Sequence, residues 1–137
     1  MENTYIFLPV LAHMLLVVIL YIILGKVKNK EAAAGNVDPE RRGLYDDAWP
    51  ASVQKVNNCI KNQFEVPVLF YVLAGISFAI NAVDLFIHGI AWLFVLSRYV
   101  HAYIHTGSNV VPVRRKVFTL GLLMILVLVI YLAIKII

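Results

Sequence analysis

The chain has 137 residues, 61% of them hydrophobic and 15% charged, with a formal net charge of +4 and a mean hydropathy of +0.82. Ordinary soluble domains carry about 25% charged residues, so this composition excludes a soluble globule and marks an integral membrane protein. A helical crossing takes about 20 apolar residues, so four crossings with short connections use up the chain and leave no room for a separate soluble domain.

The first apolar segment covers residues 5–27. Its start, Met1-Glu2-Asn3-Thr4, lacks the basic region that precedes a cleaved signal peptide, and the run is longer than the about 7–15 residues of a signal core. It is therefore read as a retained helix. Residues 28–52 shift to charge, Gly and Pro, and the stretches Asp38-Pro39-Glu40-Arg41-Arg42-Gly43 and Asp46-Asp47-Ala48-Trp49-Pro50 carry turn and helix-start signals. This is an extramembrane loop. A second helix is predicted over 53–82, long enough for its first three turns to project into headgroups or water. Within it Pro67 lacks an amide donor and clashes with the Gln63 carbonyl, which predicts a kink beside Glu65. A tight connection at 81–84, a third helix over 85–105, a Gly/Asn/Pro turn at 106–112 and a fourth helix over 113–136 complete the chain. The expected fold is all-α, a membrane-spanning four-helix bundle forming one domain, 1–137.

Basic residues distribute unevenly. Lys26, Lys28, Lys30, Arg41, Arg42, Lys55 and Lys61 flank the first loop, Arg98, Arg114, Arg115 and Lys116 flank the third, and Lys135 stands alone at the opposite end. By the positive-inside rule, loops 28–52 and 106–112 face the cytoplasm and both termini lie on the other side. Basic residues that flank spans, without a basic domain of their own, exclude nucleic acid and favour contact with membrane lipids. The single cysteine, Cys59, has neither the CxxC nor the Cys/His spacing of a metal site, so no metal is expected.

An ionisable residue at the edge of an apolar run is costly without a partner, about 2.5–3.5 kcal/mol on insertion scales, which singles out Glu65. Lys55, Asn58, Asn62 and Glu65 recur every three or four residues and share one stripe of the second helix, with Lys61 beside it. Arg98, His101 and His105 share a face of the third helix, and Arg114 opens the fourth at the same level. Arg98, Arg114 and Lys61 are the expected partners of Glu65. Read structurally, the same residues are ion pairs, headgroup anchors and interhelical glue, and Trp49, Trp92, Tyr99 and Tyr103 are belt or packing aromatics. Read functionally, they form a polar bowl at one leaflet that suits a small, multiply charged ligand: Arg grips carboxylates, Lys supplies charge and Glu accepts an ammonium.

Three elements in order, Asn62-Gln63-Phe64-Glu65, Arg98-Tyr99-Val100-His101 and Pro112-Val113-Arg114, resemble the Asn-x-x-Glu, Arg-x-x-His and Pro-x-Arg elements of the MAPEG family. These membrane-associated proteins in eicosanoid and glutathione metabolism include microsomal glutathione transferases and prostaglandin E synthase. The resemblance spans the chain. It implies a homotrimer with glutathione bound between neighbouring subunits near the cytoplasmic leaflet and a lipophilic substrate arriving from the bilayer. By matched position it implies Lys26, Lys61, Asn62, Glu65, His101 and Arg114 as glutathione contacts. It implies Arg114 with Arg98 as stabilisers of the thiolate, and His105 as a proton donor where family enzymes commonly carry Tyr. Gln63 stands where Asp is frequent, and Pro67 follows the Glu by two residues instead of four.

The leading expectation is therefore a glutathione-dependent membrane transferase or peroxidase acting on lipophilic electrophiles. The departures at Gln63, Pro67 and His105 support an alternative, a noncatalytic lipid-binding or scaffold protein of the same fold. A small proton-coupled exporter ranks last, because the long loop and the Arg/His cluster at one leaflet are unlike a mid-membrane carboxylate.

Overall fold

The computed structural model describes residues 2–137; Met1, part of the chain start read above, lies outside them. A 3₁₀ turn at Asn3–Ile6 leads into α1 (Phe7–Ala33), followed by α2 (Ala51–Gln63), α3 (Val66–Ala79), α4 (Leu85–Thr106) and α5 (Val111–Ile136). Four helical stretches, with α2 and α3 counted as one, are long and apolar enough to cross a membrane.

α1 does not end near residue 27 but continues to Ala33. Lys28, Lys30, Glu31 and the alanines are good helix formers that extend it into water. Gly35 then stops it at φ 74, with its amide on the Ala32 carbonyl and the Asn36 amide on the Glu31 carbonyl, the paired bonds of a Schellman cap. The Glu31 carboxylate accepts from Asn36 and from Ser52 Oγ at 2.6 Å, so the end of α1 is tied to the start of α2 across a shorter loop than 28–52. Within that loop Arg41 makes a forked ion pair with Asp47, and the Lys28 ammonium lies 4.8 Å from the Trp49 ring centre.

The predicted continuous helix over 53–82 is two helices. Proline at position 67 has no amide to offer the Gln63 carbonyl, and the chain answers with a full break at Phe64 and Glu65, where Glu65 sits at φ −100, ψ −103. α3 restarts with Pro67 in its first turn, where the missing donor costs nothing. It stops at Ala79, short of residue 82, because Asn81 turns left-handed (φ 53) and the Ala82 amide closes back on the Ser77 carbonyl.

Bonds at the two ends fix an antiparallel order of spans. At the terminal end Asn3 donates to the Phe78 carbonyl, and Lys135 pairs with Asp84 at 2.6 Å. At the loop end Lys55 donates to the Gly107 carbonyl at 2.9 Å. The core falls into two clusters: one around Phe70, Phe94, Ile125 and Leu128, the other around Leu20, Val53, Val56 and Cys59. Tyr99, which reads as a belt or packing aromatic, also donates to the Ala12 carbonyl at 2.7 Å and ties α4 to α1. Leu11, Leu15, Leu123 and Ile130 point outward, as residues facing hydrocarbon should.

α4 and α5 share the most extensive helix contact, and Gly121 makes it close. A Cβ there would stand 3.3 Å from Ser97 Oγ and 3.7 Å from Arg98 Nη1. Small residues at such a crossing let two helices approach. Gly121→Val is expected to cost about 1–3 kcal/mol through overpacking, seen as a lower midpoint of thermal unfolding in detergent; an unchanged midpoint contradicts the packing.

Asp84 closes the terminal end. Its Oδ1 accepts the Ile87 amide as the cap of α4, and its Oδ2 accepts Tyr131 and Lys135 at 2.7 and 2.6 Å. Partial burial pushes the carboxyl pKa up, but the Ile87, Lys135 and Tyr131 donors outweigh it and hold the group at about 2, below its ordinary 3.8. A carboxyl with a depressed pKa stabilises the fold fully above its unfolded pKa and loses that contribution as pH falls through the folded one. The gap in melting temperature between wild type and Asp84→Asn is therefore expected to stay constant between about pH 8 and pH 5 and to narrow between about pH 4 and pH 2. A gap that is flat across the acid range refutes this role for the ionised form.

Candidate functional site

At the loop end, α4 places Arg98, His101 and His105 on its inner face, where they are 0%, 1% and 3% exposed. α2 brings Asn62 opposite, its amide 3.4 Å from His105 Nδ1. That long bond leaves the proton of a neutral His105 on Nε2. The turn at 107–110 is held by Asn109, left-handed at φ 53, whose side-chain oxygen accepts from Arg114 Nη1 at 2.7 Å. Pro112 in the first turn of α5 fixes the start of that helix, so Arg114 arrives over the α4 histidines.

Between these elements lies a hollow of about 220 Å³ lined by Asn62, His101, Val111, Arg114, Arg115 and Phe118. Phe118 stands 6.0 Å from the His101 ring, and the Arg98 guanidinium lies 5.4 Å from the Phe118 ring centre, next to the hollow. None of Arg98 Nε, Nη1 and Nη2, nor His101 Nδ1, has a hydrogen-bond partner among the described residues.

The magnitudes make this arrangement informative. Burying an uncompensated ion costs several kcal/mol, and a desolvated cation–π contact returns only about 2 kcal/mol. The described residues thus leave a buried cation without a neutralising partner, beside a cavity rimmed by two more arginines. An anion entering there would gain charge-assisted hydrogen bonds.

The structure brings together Asn62, His101, His105, Arg98 and Arg114. It does not bring Glu65 to them. That side chain is exposed, as is Asn58 seven residues before it, and it makes no ion pair with Arg98, Arg114 or Lys61. Lys61 instead pairs with Asp46 of the loop at 2.8 Å, and this hydrogen bond and charge hold the Asp46 carboxyl below its ordinary range. Lys26 is exposed on α1, away from the lining of the hollow.

Sequence spacing gave no prominence to Phe118, although it follows Arg114 by one helical turn and so shares its face. Nor did it single out His13, a histidine inside the apolar run of α1 that is 0% exposed. Its Nε2 meets Gln63 Oε1 at 3.0 Å and its Nδ1 meets the Tyr71 hydroxyl. The available signal was a polar residue at membrane depth, which is retained only with partners. Gln63, conspicuous in sequence as a replacement, is one of those partners and is 1% exposed.

Comparison with curated proteins gives no match, and neither does comparison with solved structures. The family-level comparison is decisive: the model of the MAPEG family matches residues 6–134, nearly the whole chain of four membrane-spanning stretches, and the protein belongs to the MAPEG family.

Proposed function

We propose that the protein is a glutathione-dependent membrane transferase or peroxidase acting on lipophilic electrophiles. Its family includes glutathione transferases, peroxidases and members without catalysis. The observation that carries the catalytic reading is the buried, unpartnered Arg98 guanidinium beside a hollow rimmed by Arg114 and Arg115. A donor set of this kind fits the carboxylates and the sulfur anion of glutathione.

Bound glutathione supplies the nucleophilic sulfur, and the chain's own residues control its charge and orientation. Arg114 and Arg98 favour the thiolate over the thiol, since a nearby cation lowers a thiol's pKa. Asn62 and His101 orient the ligand from opposite walls. His105, with Nδ1 engaged by Asn62, keeps an Nε2–H that can donate to a leaving group. The lipophilic partner arrives from the bilayer along the apolar outer faces of the helices.

The hollow opens to the surface, and Glu65, Lys26 and Asn58 lie outside it, exposed. The proposal therefore includes a homotrimer in which a neighbouring copy closes the groove and meets Glu65. It includes also the sidedness given by the basic loops, with the loop end cytoplasmic.

A noncatalytic lipid-binding or scaffold role is the second reading. It is favoured by Gln63, whose amide is committed to holding helices together. The exporter reading draws least support, since Glu65 is exposed at a helix break near the loop end instead of being enclosed within the bundle.

Two measurements separate these readings. Calorimetry on detergent-purified protein is expected to show glutathione binding that falls at least about tenfold, or ~1.4 kcal/mol, in Arg98→Met. The same variant is expected to melt at or above the wild-type temperature, because it removes an unpaired buried charge. Loss of stability with unchanged binding would overturn the anion-site reading.

Turnover of a chloronitrobenzene or a lipid hydroperoxide with glutathione is expected in the wild type and is expected to drop by about 10²–10³-fold in Arg114→Ala. Binding without turnover would establish the second reading.

A further inference from the structure

We propose that His13 is a positioning residue: it bridges the broken second span and, on the glutathione reading above, sets the orientation of Asn62 and Glu65. The break leaves two short helices, α2 and α3, joined by the non-helical pair Phe64 and Glu65. Gln63 is the last residue of α2, and Tyr71 lies on α3 beyond the break. His13, on a third element, bonds both. One imidazole thereby fixes two helices that the chain itself no longer holds in line.

The direction of every bond follows from one fixed point. Gln63 Nε2 donates to the Cys59 carbonyl at 3.1 Å, so its amide oxygen is the atom facing His13. An amide oxygen only accepts, and His13 must therefore carry its proton on Nε2. Nδ1 is left with a lone pair, and the Tyr71 hydroxyl donates to it. The chain Tyr71 to His13 to Gln63 to Cys59 carbonyl is complete, directional and built on a neutral imidazole. The rings of His13 and Tyr71 meet edge-on at 5.5 Å, which restricts the imidazole further.

Position makes the network matter for the site. Asn62, which lines the hollow and engages His105, directly precedes Gln63, and Glu65 follows it by two residues. A helix end without i→i−4 bonds is free to rotate unless a side chain pins it. Gln63 is that pin, and His13 holds Gln63. Interhelical hydrogen bonds in membranes average about 0.6 kcal/mol and reach about 1.7. The network therefore contributes modestly to stability, while misplacement of a binding group by a fraction of an ångström is felt strongly in affinity.

The test compares wild type with His13→Leu, His13→Gln and Tyr71→Phe in detergent or nanodiscs. Amide hydrogen exchange at Phe64 and Val68, whose amides bond back to Lys61 and Glu65, reads the break without any ligand. Glutathione affinity reads its consequence, and ¹⁵N spectra of the imidazole read the tautomer. Expected are an Nε2-protonated His13, faster exchange at these amides in His13→Leu, and an affinity loss of about tenfold. His13→Gln, which keeps one donor and one acceptor, is expected to restore both, and Tyr71→Phe to fall between.

An Nδ1-protonated ring, or exchange and affinity unchanged in both His13→Leu and Tyr71→Phe, overturns the proposal. Should His13→Leu not fold, wild-type behaviour of Tyr71→Phe or failure of His13→Gln to restore the site overturns it equally. If the wild type binds no glutathione, the functional reading falls while the exchange data still decide the role of His13.

Discussion

A span that crosses hydrocarbon must satisfy its backbone internally, and Pro67 makes that impossible for one turn. The rest of the loop end follows from this missing amide. The second span breaks at Phe64 and Glu65, and Gln63 becomes the last side chain of α2 to face the core. A broken span is tolerated where side chains re-engage the free ends. Here His13 ties the two pieces together through the Gln63 and Tyr71 side chains, with the Cys59 carbonyl orienting the glutamine.

The two ends of the bundle are satisfied to different degrees, and the difference has a functional sense. At the terminal end the Asp84 carboxylate meets a helix amide, a phenol and an ammonium, so each charge is offset. At the loop end the Arg98 guanidinium lies over the Phe118 ring, and neither it nor His101 Nδ1 has a hydrogen-bond partner among the described residues. Both clusters sit on α4, which holds Arg98 in place from a cap that is fully engaged. A buried network left half-satisfied is worse for stability than an apolar core. Its presence beside a cavity is understandable when something outside the chain completes it.

Much of the architecture was legible from apolar runs and breakers. Four spans, the first loop as a break between spans and the turns at Asn81 and Asn109 follow from hydropathy, Gly, Asn and Pro. The departures were local. Water-exposed Lys and Glu extended α1, since helix propensity does not stop where hydrocarbon does. Pro67 broke a helix where a kink was expected. In the site, helical spacing correctly grouped Arg98, His101 and His105, because α4 is unbroken. It misplaced Glu65, because a shared stripe shows which residues lie together and not which way they face, and Asn58 and Glu65 are both exposed. Lys61 was misread for a different reason: its partner Asp46 comes from a loop, whose approach no periodicity describes.

Glu65 and Arg98 stand apart at the loop end, and their separation bears on what the site can hold. An ion pair between Glu65 and Arg98 would have closed the site with no need of a ligand, but Glu65, like Asn58 seven residues before it, is exposed. A buried pair of that kind is close to neutral in stability and chemically inert. The two charges stand apart instead, the guanidinium inside and the carboxylate on the surface. The inner charge is then available to an anion and the outer one to a cationic group, from the opposite end of the same zwitterion or from a neighbouring copy. A small zwitterionic peptide meets both requirements at once, which neither a simple anion nor a neutral lipid does.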